Sequence, residues 1–228
     1  MYRVEDKFMC SEREMVILQA RMEAVLRPDD NQKNVNGYHI SSIYFDDFYD
    51  THLQDAIEGN PWRRKYRIRI YNNSFEAIKL EVKYKKYNRV KKISRRISYE
   101  QMTELMQGKC ITDESPSEQN PITLFNLAVS EKGLRPKVIV AYERKAYVFD
   151  AGNVRITFDR NIRAGNQMES FIRGENVIYY PIADMDRILE IKYDEFLPGF
   201  IAAMLETGNM NQVSCSKYRM CREIKGDY

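Results

Sequence analysis

Lys65-Tyr-Arg-Ile-Arg-Ile-Tyr71 and, shortly after it, Ile78-Lys-Leu-Glu-Val-Lys-Tyr-Lys85 decide how this chain is read. Each alternates strictly. Lys65, Arg67 and Arg69 stand against Tyr66, Ile68 and Ile70; Lys79, Glu81, Lys83 and Lys85 stand against Ile78, Leu80, Val82 and Tyr84. Successive side chains of a strand point to opposite faces, so both segments are strands with one charged and one apolar face. The pattern returns in Tyr2–Phe8, where Arg3, Glu5 and Lys7 share a face, and in Lys92–Ser98, where Lys92, Ser94 and Arg96 do. It continues in Val138–Val148, Val154–Arg160 and Ile188–Asp194, the last with Glu190 and Lys192 on one side; Tyr38–Phe45 adds another strand.

Short helices punctuate these strands. Ser11-x-x-Glu14 is a capping-box pattern followed by Met15, Leu18, Met22, Val25 and Leu26 at helical spacing, and Pro28 stops it. Ser98-x-x-Gln101 opens a second helix that Gly108 ends, Asn120-Pro121 starts a third, and Pro198 a fourth running to about Gly208. Gly152-Asn153 reads as a hairpin turn. No repeat or linker interrupts residues 1–228, which read as one α+β domain, mainly antiparallel β.

The net charge of +3, from 36 Lys+Arg and 33 Asp+Glu, hides an asymmetry. Between Arg63 and Arg96 fourteen basic residues meet two acidic ones, a net +12; the remainder holds 22 basic and 31 acidic residues, a net −9. A local field of this size calls for an anionic partner. Like charges facing each other on neighbouring strands cost roughly 0.2–1 kcal/mol per pair. Either the charged face meets water on an open sheet, or the sheet closes into a barrel with its charges inward. No apolar run reaches the length of a membrane span, no signal peptide opens the chain, and the four scattered cysteines read as free thiols of a reducing compartment. With two histidines available, a bound metal would be a hard cation held by carboxylates and phosphates.

Guanidinium forks match phosphate oxygens better than ammonium points do. Arg67 and Arg69, two apart on a strand, present two forks to one side, and Lys83, Lys92, Arg144 and Arg155 come from other strands. Glu81, alone among cations, reads as a salt-bridge spacer. Glu190 sits where a carboxylate can hold Mg²⁺ or Mn²⁺ beside bound phosphates.

Eight blocks in order resemble one family: Tyr2-Arg-Val-Glu-Asp-Lys-Phe8, Ser42-Ile-Tyr-Phe-Asp46, Lys65-Tyr-Arg-Ile-Arg-Ile-Tyr71 and Leu80-Glu-Val-Lys83, then Tyr142-Glu-Arg144, Val154-Arg-Ile-Thr-Phe-Asp159, Leu189-Glu-Ile-Lys192 and Ser216-Lys-Tyr218. The family is the VTC domain, the polyphosphate-polymerising domain of the vacuolar transporter chaperone, within the triphosphate tunnel metalloenzymes. The resemblance implies a closed, polar-lined antiparallel β-barrel with short flanking helices. It implies that Lys7, Arg67, Arg69, Lys83, Arg144 and Arg155, with Tyr142 beside them, hold nucleotide or polyphosphate. A further lysine falls at Lys91 or Lys92, and Lys92 is preferred because it shares the polar face with Ser94 and Arg96. Glu190 matches the metal-binding glutamate, and Lys217 the essential lysine of the Ser-Lys-Tyr motif. The wider superfamily often opens on Glu-x-Glu-x-Lys; here Arg3 takes the first position, which puts a two-carboxylate metal site on that strand in doubt.

The function so implied is a metal-dependent phosphotransferase, with Mn²⁺ or Mg²⁺, that moves the ATP γ-phosphate onto a growing polyphosphate chain. Arg67, Arg69 and Lys217 are its expected catalytic residues. A tunnel triphosphatase and a non-catalytic polyphosphate-binding module are the alternatives. ATP and polyphosphate or phosphate are the expected partners. Nucleic acid is not expected, since most of the 16 tyrosines fall on apolar strand faces. The reading is of a cytoplasmic protein acting alone or with a separate membrane partner.

Overall fold

In the computed structural model of the chain, which describes residues 2–182, 187–207 and 210–224, every alternating segment is a strand. The elements run β1 (Arg3–Met9), α1 (Glu12–Val25), β2 (Arg27–Pro28), β3 (Tyr38–Asp46), α2 (Thr51–Ile57), β4 (Trp62–Tyr71), β5 (Ser74–Lys86), β6 (Arg89–Ile97) and α3 (Tyr99–Met106). There follow α4 (Pro121–Lys132), β7 (Arg135–Phe149), a 3₁₀ turn (Ala151–Asn153), β8 (Val154–Gly165), α5 (Met168–Ile172), β9 (Tyr180–Pro181), β10 (Ile188–Tyr193), α6 (Gly199–Leu205), β11 (Asn211–Gln212) and α7 (Lys217–Arg222).

Eight strands close on themselves in the order β7-β3-β4-β5-β6-β1-β10-β8, and β8 pairs back onto β7, all antiparallel. The seam is the β1–β6 pairing, only Arg3 with Val90 and Val4 with Arg89, against six residue pairs between β1 and β10. Closure turns the charged faces inward and removes the open edges of the sheet. The question left open by the sequence is thereby answered in favour of a barrel.

The hydrophobic cores therefore lie outside the barrel wall. Ile68, Leu80 and Val82 pack under Met102 and Leu105 of α3 and Phe125 of α4. Ile156, Phe158, Leu189 and Ile191 pack under Leu18 and Met22 of α1 and Ile201 of α6. Fully burying side chains such as Leu18 and Met22 contributes roughly 1.5–3 kcal/mol each.

Both capping boxes form: the Ser11 and Ser98 hydroxyls accept from the Glu14 and Gln101 amides, and those side chains bond back. Asn120 caps α4 and Gly133, with φ 61°, ends it. Gly152 and Asn153 both take left-handed φ, 77° and 49°, in the β7–β8 turn. The fourth helix ends at Leu205, and the expected stop at Gly208 lies outside the described residues. Helix α7, which carries Lys217 of the site, and α2 packed beside it have no strong sequence signal. The Asp46 carboxylate caps α2 by accepting from the His52 and Leu53 amides at 2.9 and 3.0 Å. It also accepts from the Tyr218 hydroxyl at 2.5 Å, which ties α7 to the end of β3.

Candidate functional site

Inside the barrel is a cavity of about 110 Å³ whose walls carry ten basic residues and two acidic ones. β1 supplies Lys7, β4 Arg67 and Arg69, β5 Lys83, β7 Tyr142 and Arg144, β10 Glu190 and α7 Lys217. Eight of the ten expected site residues thus meet in one place. Lys92 and Arg155 do not border this cavity. Lys92 bonds Glu81, the carboxylate behind Arg67 of the cavity wall, while Arg155 forms an ion pair with Asp29 at 3.0 Å and donates to the Tyr38 hydroxyl at 3.1 Å. Lys91 turns away and donates to Gln119 at 2.8 Å.

Three carboxylate hubs hold the cations. Glu81, fully buried, accepts from Arg67 Nε at 2.7 Å and from Lys92 Nζ at 2.6 Å, with Arg69 Nε 4.0 Å away. It is the salt-bridge spacer its surroundings suggested. Arg67 also donates to the Tyr44 hydroxyl at 2.8 Å, and Arg69 to Ser42 at 3.0 Å and Tyr142 at 3.1 Å. Asp159 accepts both arms of Arg144 at 2.6 and 2.7 Å and lies 2.6 Å from Lys217 Nζ. The third hub is shared: Lys83 Nζ donates to both Glu5 oxygens at 2.8 and 2.7 Å. Lys7 stands 3.5 Å from Glu5 and 3.6 Å from Glu190, and Lys192 joins both carboxylates.

The cations fall into two electrostatic classes. Burial opposes the charge of Arg67 and Arg144, yet Glu81 and Asp159 respectively hold them well above the ordinary arginine value. Lys217 behaves likewise: burial lowers its pKa, but Asp159 and Glu190 raise it further, so the ammonium stays charged. The lysines of β4 to β6 go the other way. Burial, then Lys7 and Lys83, push Lys65 well down. Burial brings Lys83 down to about 7, with Lys7 adding to the effect against Glu5. Lys92 falls to about 8 because burial, Arg67 and Arg69 outweigh Glu81. The carboxylates resist burial because of these neighbours: Lys192, Lys7 and Lys83 hold Glu190 well below the usual range.

Glu5, Lys65, Lys192 and Asp159 were not named as site residues, although the first three were placed on charged strand faces. The first three share the alternating faces of Lys7, Arg67 and Glu190, so face parity alone would have found them. Glu5 matters for the metal question. Arg3 turns to Asp194 at 2.9 Å, and the second carboxylate beside Glu190 is Glu5 from the adjacent strand. Among the described residues no three His, Cys, Asp or Glu side chains gather as a cage. Two carboxylates are hard oxygen donors of the kind Mg²⁺ or Mn²⁺ takes, although here Lys83 pairs with Glu5, and Lys7 and Lys192 with Glu190.

The VTC domain family matches residues 2–224. This chain belongs to the VTC domain family. No curated protein matches it. Among solved structures, a protein from Hippeastrum named as an adenylyl cyclase and described as having a dominant triphosphatase activity superposes with a TM-score of 0.56 at 13% identity, covering 97% of this VTC domain and 94% of that chain. A Bacillus halodurans protein named as an adenylate cyclase gives 0.50 at 9% identity, over 83% and 79%. At these identities the likeness is one of fold, and the tunnel barrel is the fold they share. Among the described residues no helix is long and apolar enough to cross a membrane.

Proposed function

We propose that this VTC domain is an ATP-dependent polyphosphate polymerase. The observation that carries the reading is the ring of buried cations from five strands and α7, ten basic against two acidic, around one cavity. A phosphate chain is the ligand that offsets such a surplus along its whole length.

Arg67, Arg69 and Arg144 bring permanent forks from β4 and β7 for the phosphate oxygens of ATP. Lys7 and Lys83 add ammonium groups from β1 and β5. In the transfer a terminal oxygen of the acceptor attacks the γ-phosphorus, the bond to the β–γ bridging oxygen breaks, and ADP leaves with that electron pair. The attacking oxygen is already anionic and needs no base. Lys217, held charged by Asp159 and Glu190, accordingly orients the acceptor electrostatically. Tyr142 lies under it, the ammonium 5.1 Å from the ring centre. Glu5 and Glu190 would hold a divalent cation, which supplies charge neutralisation at the phosphate oxygens when bound. Lys92 and Arg155 extend the positive lining beyond the central cavity.

The test is incubation with ATP and Mn²⁺, with and without a short polyphosphate primer, and a gel stained for polyphosphate. A ladder that lengthens with time is expected, lost with EDTA and reduced at least about a hundredfold in Lys217→Ala. The triphosphatase activity described for the Hippeastrum protein favours one second reading, with water in place of the acceptor. Orthophosphate release without a ladder would select it, and tight polyphosphate binding without turnover would leave a binding module.

A further inference from the structure

Beside the tunnel mouth, on the outside of the barrel, lies a second cleft of about 590 Å³ between β4, β5, α2 and α4. Its lining is unlike the tunnel's. Trp62, Tyr66, Tyr84 and Tyr2 give it four aromatic rings, and Leu124 and Leu127 of α4 form an apolar wall. The charged residues are more evenly matched, with Arg63, Arg64, Lys85 and Lys132 against Asp55 and Glu131. Arg63 and Lys85, paired across β4 and β5, border both this cleft and the tunnel cavity. The two spaces therefore share these two residues of their walls.

We propose that this cleft takes the nucleobase of a nucleoside triphosphate whose phosphates lie in the tunnel. The inference rests on the phosphate-binding reading of the tunnel and adds the part of the substrate that the tunnel cannot recognise. A base needs a flat apolar partner and edge-on polar groups, and the cleft offers both. Trp62 is 56% exposed, although a large aromatic side chain normally gains by burial. Lys86 lies over its ring at 4.3 Å but does not border the cleft. The Arg64 guanidinium is 5.2 Å from the centre of the Tyr84 ring, a second stacking platform on the same wall. Asp55 and Glu131 can accept from an exocyclic amine, and they repel a further phosphate. The cleft thus suits the uncharged aromatic end of the substrate, and Arg63 and Lys85 suit the phosphates at the crossing point.

Trp62 is the sole tryptophan of the chain, which makes it a built-in reporter. ATP and inorganic tripolyphosphate are titrated into the full chain by calorimetry and by tryptophan fluorescence, beside Trp62→Ala and Trp62→Phe. Stacking on an aromatic side chain is removed by alanine at a cost equivalent to about a tenfold loss of affinity. The expected result is that Trp62→Ala weakens ATP about tenfold, leaves tripolyphosphate within about twofold, and that Trp62→Phe recovers most of the loss. ATP should shift the wild-type emission and tripolyphosphate should not. Equal effects of Trp62→Ala on both ligands, or no effect on either, would overturn the cleft while leaving the tunnel reading intact. So would tripolyphosphate binding without ATP binding. If neither ligand binds the wild type, the tunnel reading itself fails and the cleft falls with it.

Discussion

The tunnel has an arginine side and a lysine side, and they solve the same problem differently. On β4 and β7, Arg67 and Arg144 each meet a carboxylate held by nothing weaker than a direct bond: Glu81 at 2.6 Å and Asp159 at 2.6 Å. Opposite them, Lys7, Lys83 and Lys192 share Glu5 and Glu190, several of the contacts stretching to 3.5 or 3.6 Å. Guanidinium groups cannot shed their proton in a protein, so each must keep a counter-ion. Ammonium groups can, and Lys83 with its pKa near 7 is poised to do so. One side is thus permanently charged. On the other, Lys83 can change its charge with what occupies the tunnel, whereas Lys7, despite burial, is held above the ordinary lysine value by Glu5 and Glu190.

That contrast is sharpest at Asp159, which serves Arg144 and Lys217 at once. Asp159→Asn leaves two buried cations without their partner, and breaking a buried pair from one side costs about 3–5 kcal/mol. Chemical denaturation at neutral pH should show a loss of this size, with part of it recovered by added tripolyphosphate, which replaces the missing negative charge. A loss below about 1 kcal/mol would show that the arginine side does not depend on its counter-ion.

The matching change on the other side, Glu5→Gln, should cost less. At about pH 6 Lys83 is charged and loses its two-oxygen partner, a loss of about 1–3 kcal/mol. Near pH 8.5 the lysine is already neutral in the parent protein, so the difference between parent and variant should shrink. Denaturation curves at the two pH values decide this. A penalty independent of pH and as large as that of Asp159→Asn would erase the distinction between the two sides.

How much of this could be read from the chain depends on how local the determinants are. The strands were legible because alternation in segments such as Ile78–Lys85 is itself the cause of their two faces. The helices with capping boxes at Ser11 and Ser98 were legible for the same reason. Barrel closure was not legible in the alternation and came only through the family resemblance, because it turns on two residue pairs between β1 and β6, far apart in sequence. Helix α7 has six residues, too short to form by propensity, and is held by Tyr218 on Asp46 and Arg222 on Asp50 at 2.7 Å. The resemblance pointed to Lys217, whereas its partner Asp159, on a different element, emerged only in three dimensions. Counter-ions are the part a linear motif hides, since a buried charge is matched across the fold and not along the strand.

The smallest expected effect is also the most direct reading of the lysine side. In the free protein Lys83 and Lys92 sit near 7 and 8, both lowered from the ordinary lysine value of 10.5. A polyanion in the tunnel stabilises their charged forms and raises both values, so binding at about pH 7.5 must take up protons. Calorimetry with tripolyphosphate in buffers of differing ionisation heat should give a net uptake, reduced in Lys83→Met. Affinity should then weaken as pH rises, by at most about tenfold per pH unit for each proton taken up. Stability of the unliganded protein has the opposite slope. The unfolded chain holds more protons than the fold between about pH 7 and 10.5, so the contribution of Lys83 to stability is lost as pH falls through that window and returns as it rises. Ligand should flatten that slope. No protons exchanged on binding would mean that the lysines are already fully charged in the empty tunnel and that the two sides differ in geometry alone, and net release would mean that a group other than these lysines titrates.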